Sequence, residues 1–359
     1  MTSKATLMVM AGGTGGHVYP AIAVADYLQA LGWRIVWLAT EGGMENRLIE
    51  NKPYSKAMIT MRGVRGKGLL GWVLLPFKLM LAFKQSLSAF IQYKPNVVLG
   101  MGGFAAFPGG LMAKVMRKPL VIHEQNSVAG LTNKILSLFA NEVLAAFPSA
   151  FGNKAELVGN PVRDDITQLP LPETRYEARS GKLKLLVVGG SLGAAALNEV
   201  LPKALATFPE AERPEVVHQA GEKHIATLEA NYQKAGVAAD TKAYIKDMAT
   251  LYAWADVVVC RAGALTVAEL ACVGVASVLV PFPHAVDDHQ TSNAQYLSDN
   301  DAAILIQQTA LSVEKASDIL HTLTRERCLD MAKNARALAK PEAAKAVAGM
   351  CMALAGVAA

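Results

Sequence analysis

The sequence holds little that would mark a secreted or membrane-spanning protein. It has four cysteines in 359 residues, Cys260, Cys272, Cys328 and Cys351, all in the C-terminal half and none in a C-x-x-C pair. Thiols so few and so placed make no disulfide framework; they read as buried groups of a reduced, cytosolic protein. No signal peptide is expected, because the glycines from Gly12 onward end the first apolar stretch too early for an h-region and cleavage site. No transmembrane helix is expected either. The most apolar stretch, 69–91, is broken by Pro76, Lys78 and Lys84, whereas a span needs about 20 mostly apolar residues. Aromatic residues are only 6% of a chain that is 52% hydrophobic. Ala, Val, Leu and Gly fill the difference, which suits closely packed α/β layers in a chain long enough for two domains.

One scarcity is local. No Asp or Glu occurs between Glu50 and Glu124, while Lys52, Lys56, Arg62, Arg65, Lys67, Lys78, Lys84, Lys94, Lys114, Arg117 and Lys118 all fall there. The formal net charge is only +5, so it is this asymmetry that implies an anionic partner for the N-terminal half.

What is present is a β-α alternation that starts twice. The apolar run Thr6–Ala11 leads into Gly12-Gly13-Thr14-Gly15-Gly16-His17, and Leu183–Val188 leads into Gly189-Gly190-Ser191-Leu192-Gly193. Short apolar runs read as buried parallel strands. Glycines after such a strand let the backbone turn and approach a ligand, and the following helix offers free N–H groups to an anion. The spacing predicts N-terminal strands at 6–11, 34–39, 57–61, 97–100, 120–123 and 142–146, with helices at 21–31, 45–51, 72–93, 108–116 and 130–138. Residues 158–182, with Gly159, Pro161, Pro170, Pro172 and Gly181, read as an interdomain linker. Strands at 183–188, 215–218, 242–245, 256–260, 276–280 and 302–306 follow, with helices at 194–205, 222–235, 248–253, 264–273, 288–298, 313–322 and 325–337. After Pro341 an alanine-rich helix, 342–355, is expected to return to the first domain. The expected fold is therefore α/β, two Rossmann-like doubly wound domains facing across a cleft. One spans 1–160 plus 342–359, the other 161–341.

Several motifs carry chemistry. A dinucleotide fingerprint lacks its third glycine, since Gly13-Thr14-Gly15 is followed by Val18; Glu41 after the second strand keeps that alternative weakly alive. No G-K-[ST] closes either loop, which excludes a P-loop. His17 ends the first glycine loop. It either only packs or places an imidazole where it hydrogen-bonds a hydroxyl or acts as a base. The run Arg261–Glu269 follows the strand Val257–Cys260 and opens a helix whose N–H groups would suit a diphosphate. Glu269, one turn in, either supports the dipole or accepts both hydroxyls of a ribose. In Pro281–Ala294, Asp287 or Asp288 is a candidate helix cap. His284, Asp287, Asp288 and His289 have no obvious metal-site spacing. Asp299-Asn300-Asp301 is formally D-x-D, but sits at a helix–strand turn where these residues are ordinary.

Taken in order, the motifs Gly12–His17, Gly100-Met101-Gly102-Gly103-Phe104, His123-Glu124-Gln125-Asn126, Gly159-Asn160-Pro161-Val162-Arg163, Gly189-Gly190-Ser191, Gly263–Glu269 and Asp287–Ala294 cover essentially the whole chain. In this set the chain resembles the MurG family, bacterial UDP-N-acetylglucosamine transferases of peptidoglycan synthesis. The resemblance implies a GT-B fold and inverting transfer of GlcNAc from UDP-GlcNAc to the MurNAc hydroxyl of undecaprenyl-pyrophosphoryl-MurNAc-pentapeptide (lipid I), giving lipid II. It implies no cofactor and no D-x-D metal site at the diphosphate. It also implies a peripheral place on the cytoplasmic face of the inner membrane, anionic lipid and other cell-wall and division proteins as partners, and no nucleic acid.

Residue by residue, the resemblance places the donor diphosphate on Ser191 and on Ala264, Leu265 and Thr266, with Val267 and Ala268 beside them and Arg163 as a cationic contact. Glu269 would take the ribose and the Ile245 backbone the uracil, with Tyr244 packed on its ring. Gln290 and Asn126 would meet sugar hydroxyls, and Thr14, Gly15 and Gly16 would border the donor. Gly13, Thr14, His17, Gly102, Gly103 and Asn126 would serve the acceptor, with His17 the candidate base. Tyr244 stands where a Phe can stand in relatives, which keeps stacking. His289 stands where a Gln can stand, so the hydroxyl contact is assigned to Gln290 alone. Trp72, Leu75, Lys78, Leu79 and Lys84 form the expected membrane patch, an apolar face flanked by cations. A GT-B enzyme with another UDP-sugar or lipid acceptor, a UDP-sugar epimerase and a two-domain binding protein are the competing readings.

Overall fold

A computed structural model describes residues 5–61, 75–177, 179–190 and 193–357. It divides into two compact units, Met1–Arg163 with Pro341–Ala359, and Asp164–Lys340. The first contains β1 (Thr6–Met10), β2 (Arg34–Thr40), β3 (Ser55–Ile59), β4 (Val97–Gly100), β5 (Leu120–Glu124), β6 (Glu142–Ala145) and β7 (Glu156–Leu157). They form one parallel sheet in the order β3-β2-β1-β4-β5-β6-β7. The second contains β8 (Lys184–Val188), β9 (Glu215–Gln219), β10 (Asp240–Lys242), β11 (Val257–Cys260), β12 (Ala276–Leu279) and β13 (Ala303–Leu305), also all parallel, in the order β10-β9-β8-β11-β12-β13. Parallel strands need crossover helices, and both faces of such a sheet are covered. Every residue of β1, β4, β5, β11 and β12 is accordingly buried.

In the first unit, Trp37 on β2 is fully buried, and its indole N–H donates to the Ala11 carbonyl at 2.9 Å. That bond pins the point where β1 becomes the first glycine loop. Helix Ala343–Leu354 places Val347, Ala348, Cys351 and Met352 in the same core as Val18, Ala21, Ala25 and Leu28 of helix Gly15–Ala30. All four cysteines are free and buried, and burial pushes Cys260, Cys328 and Cys351 up to about 12 and Cys272 to about 11.

The structure corrects several expectations. The first helix starts at Gly15, not near 21, so Gly15, Gly16 and His17 are its first turn and Pro20 lies inside it. Glycine and proline lowered the local helical signal, and burial of Val18, Ala21 and Ile22 overrides it. The strand expected at 57–61 lies at 55–59, and the one expected at 242–245 lies at 240–242. Much of the supposed linker is folded structure of the second unit. It contains helices Asp164–Thr167 and Pro172–Glu177. There Tyr176 donates to the Asp256 carbonyl at 2.6 Å, Arg179 pairs with the fully buried Asp256 carboxylate, and Arg175 donates to the Val273 carbonyl at 2.8 Å. Prolines and glycines marked the turns; the side chains between them anchor the segment.

Candidate active site

In each sheet the chain order reverses once, between β1 and β4 and between β8 and β11. Connections diverge at such a point and open a crevice beyond the C-terminal strand ends. The loops Gly13–His17 and Gly102-Gly103 fall at the first of these places and the loop Gly263–Glu269 at the second.

In the first unit, Gly13–His17 leave β1, Gly102 and Gly103 leave β4, and Asn126 leaves β5. Thr14 is the N-cap of helix Gly15–Ala30 in extended conformation, and its side chain makes no cap bond. The helix N-terminus at Gly15 and Gly16 is therefore a place where an anion would be stabilised. The β1 loop rests on Glu45, whose fully buried carboxylate accepts from Thr40 N at 2.8 Å, the Thr40 hydroxyl at 2.6 Å and Gly13 N at 3.4 Å.

His17 is half-buried, and its Nδ1 lies 2.6 Å from Gln125 Oε1. Gly102 has φ +93°, and a Cβ there would come within 3.1 Å of the His17 ring. The missing side chain is what lets the imidazole lie over the β4 loop. Asn126 is set by Glu124, which is 2% exposed and accepts from Asn126 N at 3.0 Å, Gly130 N at 3.0 Å and the Asn133 side-chain amide at 2.9 Å. Behind Gln125 stands His123, fully buried and 2.8 Å from the Gly159 carbonyl; burial pushes its pKa down to about 4. The sequence reading singled out Asn126 and passed over Glu45, His123, Glu124 and Gln125 as supports. The signal available for the last three was their place at the end of an apolar strand run.

In the second unit, helix Ala264–Val273 follows β11, with Gly263 as N-cap. Val267 is buried and its N–H bonds the Gly263 carbonyl at 2.9 Å. The preceding N–H groups, at Ala264, Leu265 and Thr266, belong to the first turn that lacks such partners. Ala268 and Glu269 are half-buried, and Glu269 accepts from the Tyr252 hydroxyl at 3.0 Å. Asn293 ties helix His289–Ser298 to this loop, donating to the Ala262 carbonyl at 3.2 Å. Gln290 accepts from Phe282 N at 2.9 Å. After β10, Tyr244 is 48% exposed while Ile245 is buried, an arrangement that presents a ring beside a fixed backbone. Asp288 precedes the helix but makes no backbone cap bond. Asp287 and Asp288 both have positive φ, and the Asp288 carboxylate takes the Thr291 hydroxyl at 2.8 Å. Arg163 is half-buried and closes the N-terminal part of the first unit. Ser191 and Trp72 lie outside the described residues.

Helix Leu75–Tyr93 buries small residues, Ala82, Ser86 and Ala89, with Phe90, and leaves Phe77, Met80, Leu81 and Ile91 exposed. Leu79, Phe83, Lys84 and Leu87 line a groove of about 410 Å³ on this helix, which is apolar apart from Lys84. Leu75 and Lys78, from its first turn, are half-buried. Among the described residues no helix is long and apolar enough to cross a membrane.

Two parallel doubly wound units, each with a glycine-containing loop at its switch point, are the parts of a GT-B fold, and the family matches make it that of a glycosyltransferase. Family models agree: residues 7–145 match the glycosyltransferase family 28 N-terminal domain and residues 184–347 its C-terminal domain. A relative from Cupriavidus metallidurans is 56% identical over 99% of both chains, and one from Nitrosospira multiformis is 53% identical over 98% of this chain and 99% of its own. Both are named UDP-N-acetylglucosamine--N-acetylmuramyl-(pentapeptide) pyrophosphoryl-undecaprenol N-acetylglucosamine transferase. The crystal structure of Acinetobacter baumannii MurG aligns with a TM-score of 0.86 at 41% identity, covering 97% of this chain and 99% of that one. The chain belongs to the MurG family, within glycosyltransferase family 28.

Proposed function

We propose that this chain transfers GlcNAc from UDP-GlcNAc to the MurNAc hydroxyl of lipid I, forming lipid II. The observation that carries the proposal is identity of 53–56% along nearly the whole chain to relatives named for that transfer. The two switch points support the following chemistry. The acceptor hydroxyl attacks the anomeric carbon of GlcNAc from the face opposite UDP. The C–O bond to UDP breaks, and the configuration inverts. Negative charge grows on the diphosphate and is met by the N–H groups that open helix Ala264–Val273, with Ser191 and Arg163 as further contacts. Glu269 receives the ribose, Tyr244 and Ile245 the uracil, and Gln290 and Asn126 the sugar hydroxyls. His17 accepts the proton of the attacking hydroxyl, and Gly13, Thr14, Gly102 and Gly103 cradle the acceptor's diphosphate. The donor needs no cofactor in this scheme.

The acceptor is anchored in lipid, and the exposed apolar side chains of helix Leu75–Tyr93, with Lys78 and Lys84, support an interfacial seat on anionic membrane. The site of work is then the cytoplasmic face of the inner membrane, alongside other cell-wall and division proteins.

The test is transfer of radiolabelled GlcNAc from UDP-GlcNAc to a lipid I analogue, with unlabelled UDP-sugars as competitors. Labelled lipid product, competed best by UDP-GlcNAc, is expected. Free sugar or an epimer formed without acceptor would overturn the proposal.

A further inference from the structure

Behind His17 lies a layer of buried polar groups that the transfer chemistry leaves without a role. It consists of Gln125, His123 and the Gly159 carbonyl, and hydrogen-bond logic fixes the orientation of each.

The Gly159 carbonyl can only accept, so His123 Nε2, 2.8 Å away, carries a proton. His123 is fully buried, and burial holds its ring neutral. A neutral imidazole has one N–H, so His123 Nδ1 is an acceptor. Facing it at 3.0 Å is one end of the Gln125 amide. The same end lies 3.0 Å from the His123 carbonyl and 3.8 Å from Met101 Sδ. A bare ring nitrogen, a carbonyl oxygen and a thioether all accept, so this end is the NH2. The other end is then the carbonyl oxygen, and it sits 2.6 Å from His17 Nδ1. Oxygen there accepts, so His17 donates from Nδ1, and its lone pair is on Nε2.

We propose that Gln125 is a positioning residue that locks His17 in the Nδ1–H tautomer, so that Nε2 is the atom that takes the acceptor's proton. The inference rests on the reading of His17 as the base. The proton leaves the sugar hydroxyl as its oxygen bonds to the anomeric carbon, and it arrives on Nε2. The resulting imidazolium keeps its Nδ1–H on Gln125, and a charged donor strengthens that bond. The proton stops at His17, because the neutral amide oxygen of Gln125 accepts a hydrogen bond but is far too weak a base to take the proton. A neutral amide here does the orienting that a carboxylate does in a Ser-His-Asp triad, and His123 and Gly159 in turn fix the amide.

The experiment uses the full chain labelled with 15N-histidine and long-range 1H–15N NMR at neutral pH, with the His17 signals assigned by their loss in His17→Gln. In the wild type, Nδ1 should show a protonated, pyrrole-type signal and Nε2 a bare, pyridine-type one. In Gln125→Ala, and in Gln125→Met, which preserves volume, the Nε2–H form should appear. Their kcat should fall by about ten- to a hundred-fold, part of the roughly 10²–10⁴ that a positioned base contributes, with KM for UDP-GlcNAc unchanged. A wild-type His17 protonated on Nε2, or a tautomer unmoved in both variants, would overturn the proposal. If His17→Ala keeps wild-type turnover while the NMR shows the Nδ1–H form, the base reading falls and the tautomer assignment stands.

Discussion

A Cβ placed on Gly103 would lie 2.3 Å from the carbonyl oxygen of Gly12. The two loops at the first switch point therefore touch backbone to backbone, and Gly103 also has φ +88°. Gly103→Ala should cost about 1–3 kcal/mol for the backbone conformation alone, with the clash added. Urea unfolding should show that loss, and GlcNAc transfer should fall sharply because the Gly12 loop leads to His17. A variant with wild-type stability and rate would show that the loops need no such contact.

Glu269 is held by the Tyr252 hydroxyl at 3.0 Å, which aims a carboxylate from the first turns of helix Ala264–Val273. If it receives the ribose, Glu269→Ala removes hydrogen bonds to a charged group, each about 1.5–3 kcal/mol. Steady-state kinetics should show KM for UDP-GlcNAc raised roughly ten-fold or more, with a smaller rise in Tyr252→Phe. An unchanged KM would remove Glu269 from the donor site.

Burial pushes His123 down to about 4 and His218 to about 3. Both are neutral when folded and titrate near 6.5 when unfolded. Between those values the unfolded chain binds more protons, so stability rises with pH and is lost as pH falls from about 6.5 toward 4. Each histidine contributes about 1.4 kcal/mol per pH unit, on the order of 3 kcal/mol between pH 6.5 and pH 4. His218 is held by the Tyr232 hydroxyl at 2.9 Å and Asn198 Oδ1 at 3.1 Å. Urea midpoints measured from pH 7 to pH 4.5 should fall less steeply in His218→Gln than in the wild type.

The membrane reading turns on charge beside exposed apolar side chains. Each lysine near an anionic surface contributes about 1 kcal/mol, so Lys78→Glu with Lys84→Glu should lower binding to phosphatidylglycerol vesicles more than about ten-fold at low salt. Transfer to a short-chain, soluble acceptor analogue should be unaffected. Vesicle binding equal to wild type would remove this helix from the interface.

Where burial is two-sided, the fold was legible: β1, β4, β11 and β12 are apolar runs, and helix Ala264–Val273 starts and stops where Gly263 and Gly274 say it should. Helix Gly15–Ala30 was read six residues short, because Gly15, Gly16 and Pro20 weaken local propensity while packing of Val18 and Ile22 decides the outcome. The segment around Tyr176 was read as linker because its anchor, Asp256, lies far along the chain and only tertiary contact reveals it. The same holds for the support of the site. His17 is conspicuous at the end of a glycine loop, but its partner Gln125 is more than a hundred residues away, and no periodicity connects them. Glu45 only opens the expected helix 45–51 in the sequence, and the burial of its carboxylate under the Gly13 loop is a tertiary contact.

The first switch point is proposed to supply the base and the second to hold the donor. The most direct measurement is single-turnover transfer of GlcNAc to a lipid I analogue by wild type and His17→Ala, with UDP-GlcNAc binding followed separately by calorimetry. Lipid product is expected from the wild type and a rate lower by about 10²–10⁴ in the variant, with donor binding unchanged. A variant rate within a few-fold of wild type, or a wild type that releases free GlcNAc and leaves the acceptor unmodified, would contradict the proposal.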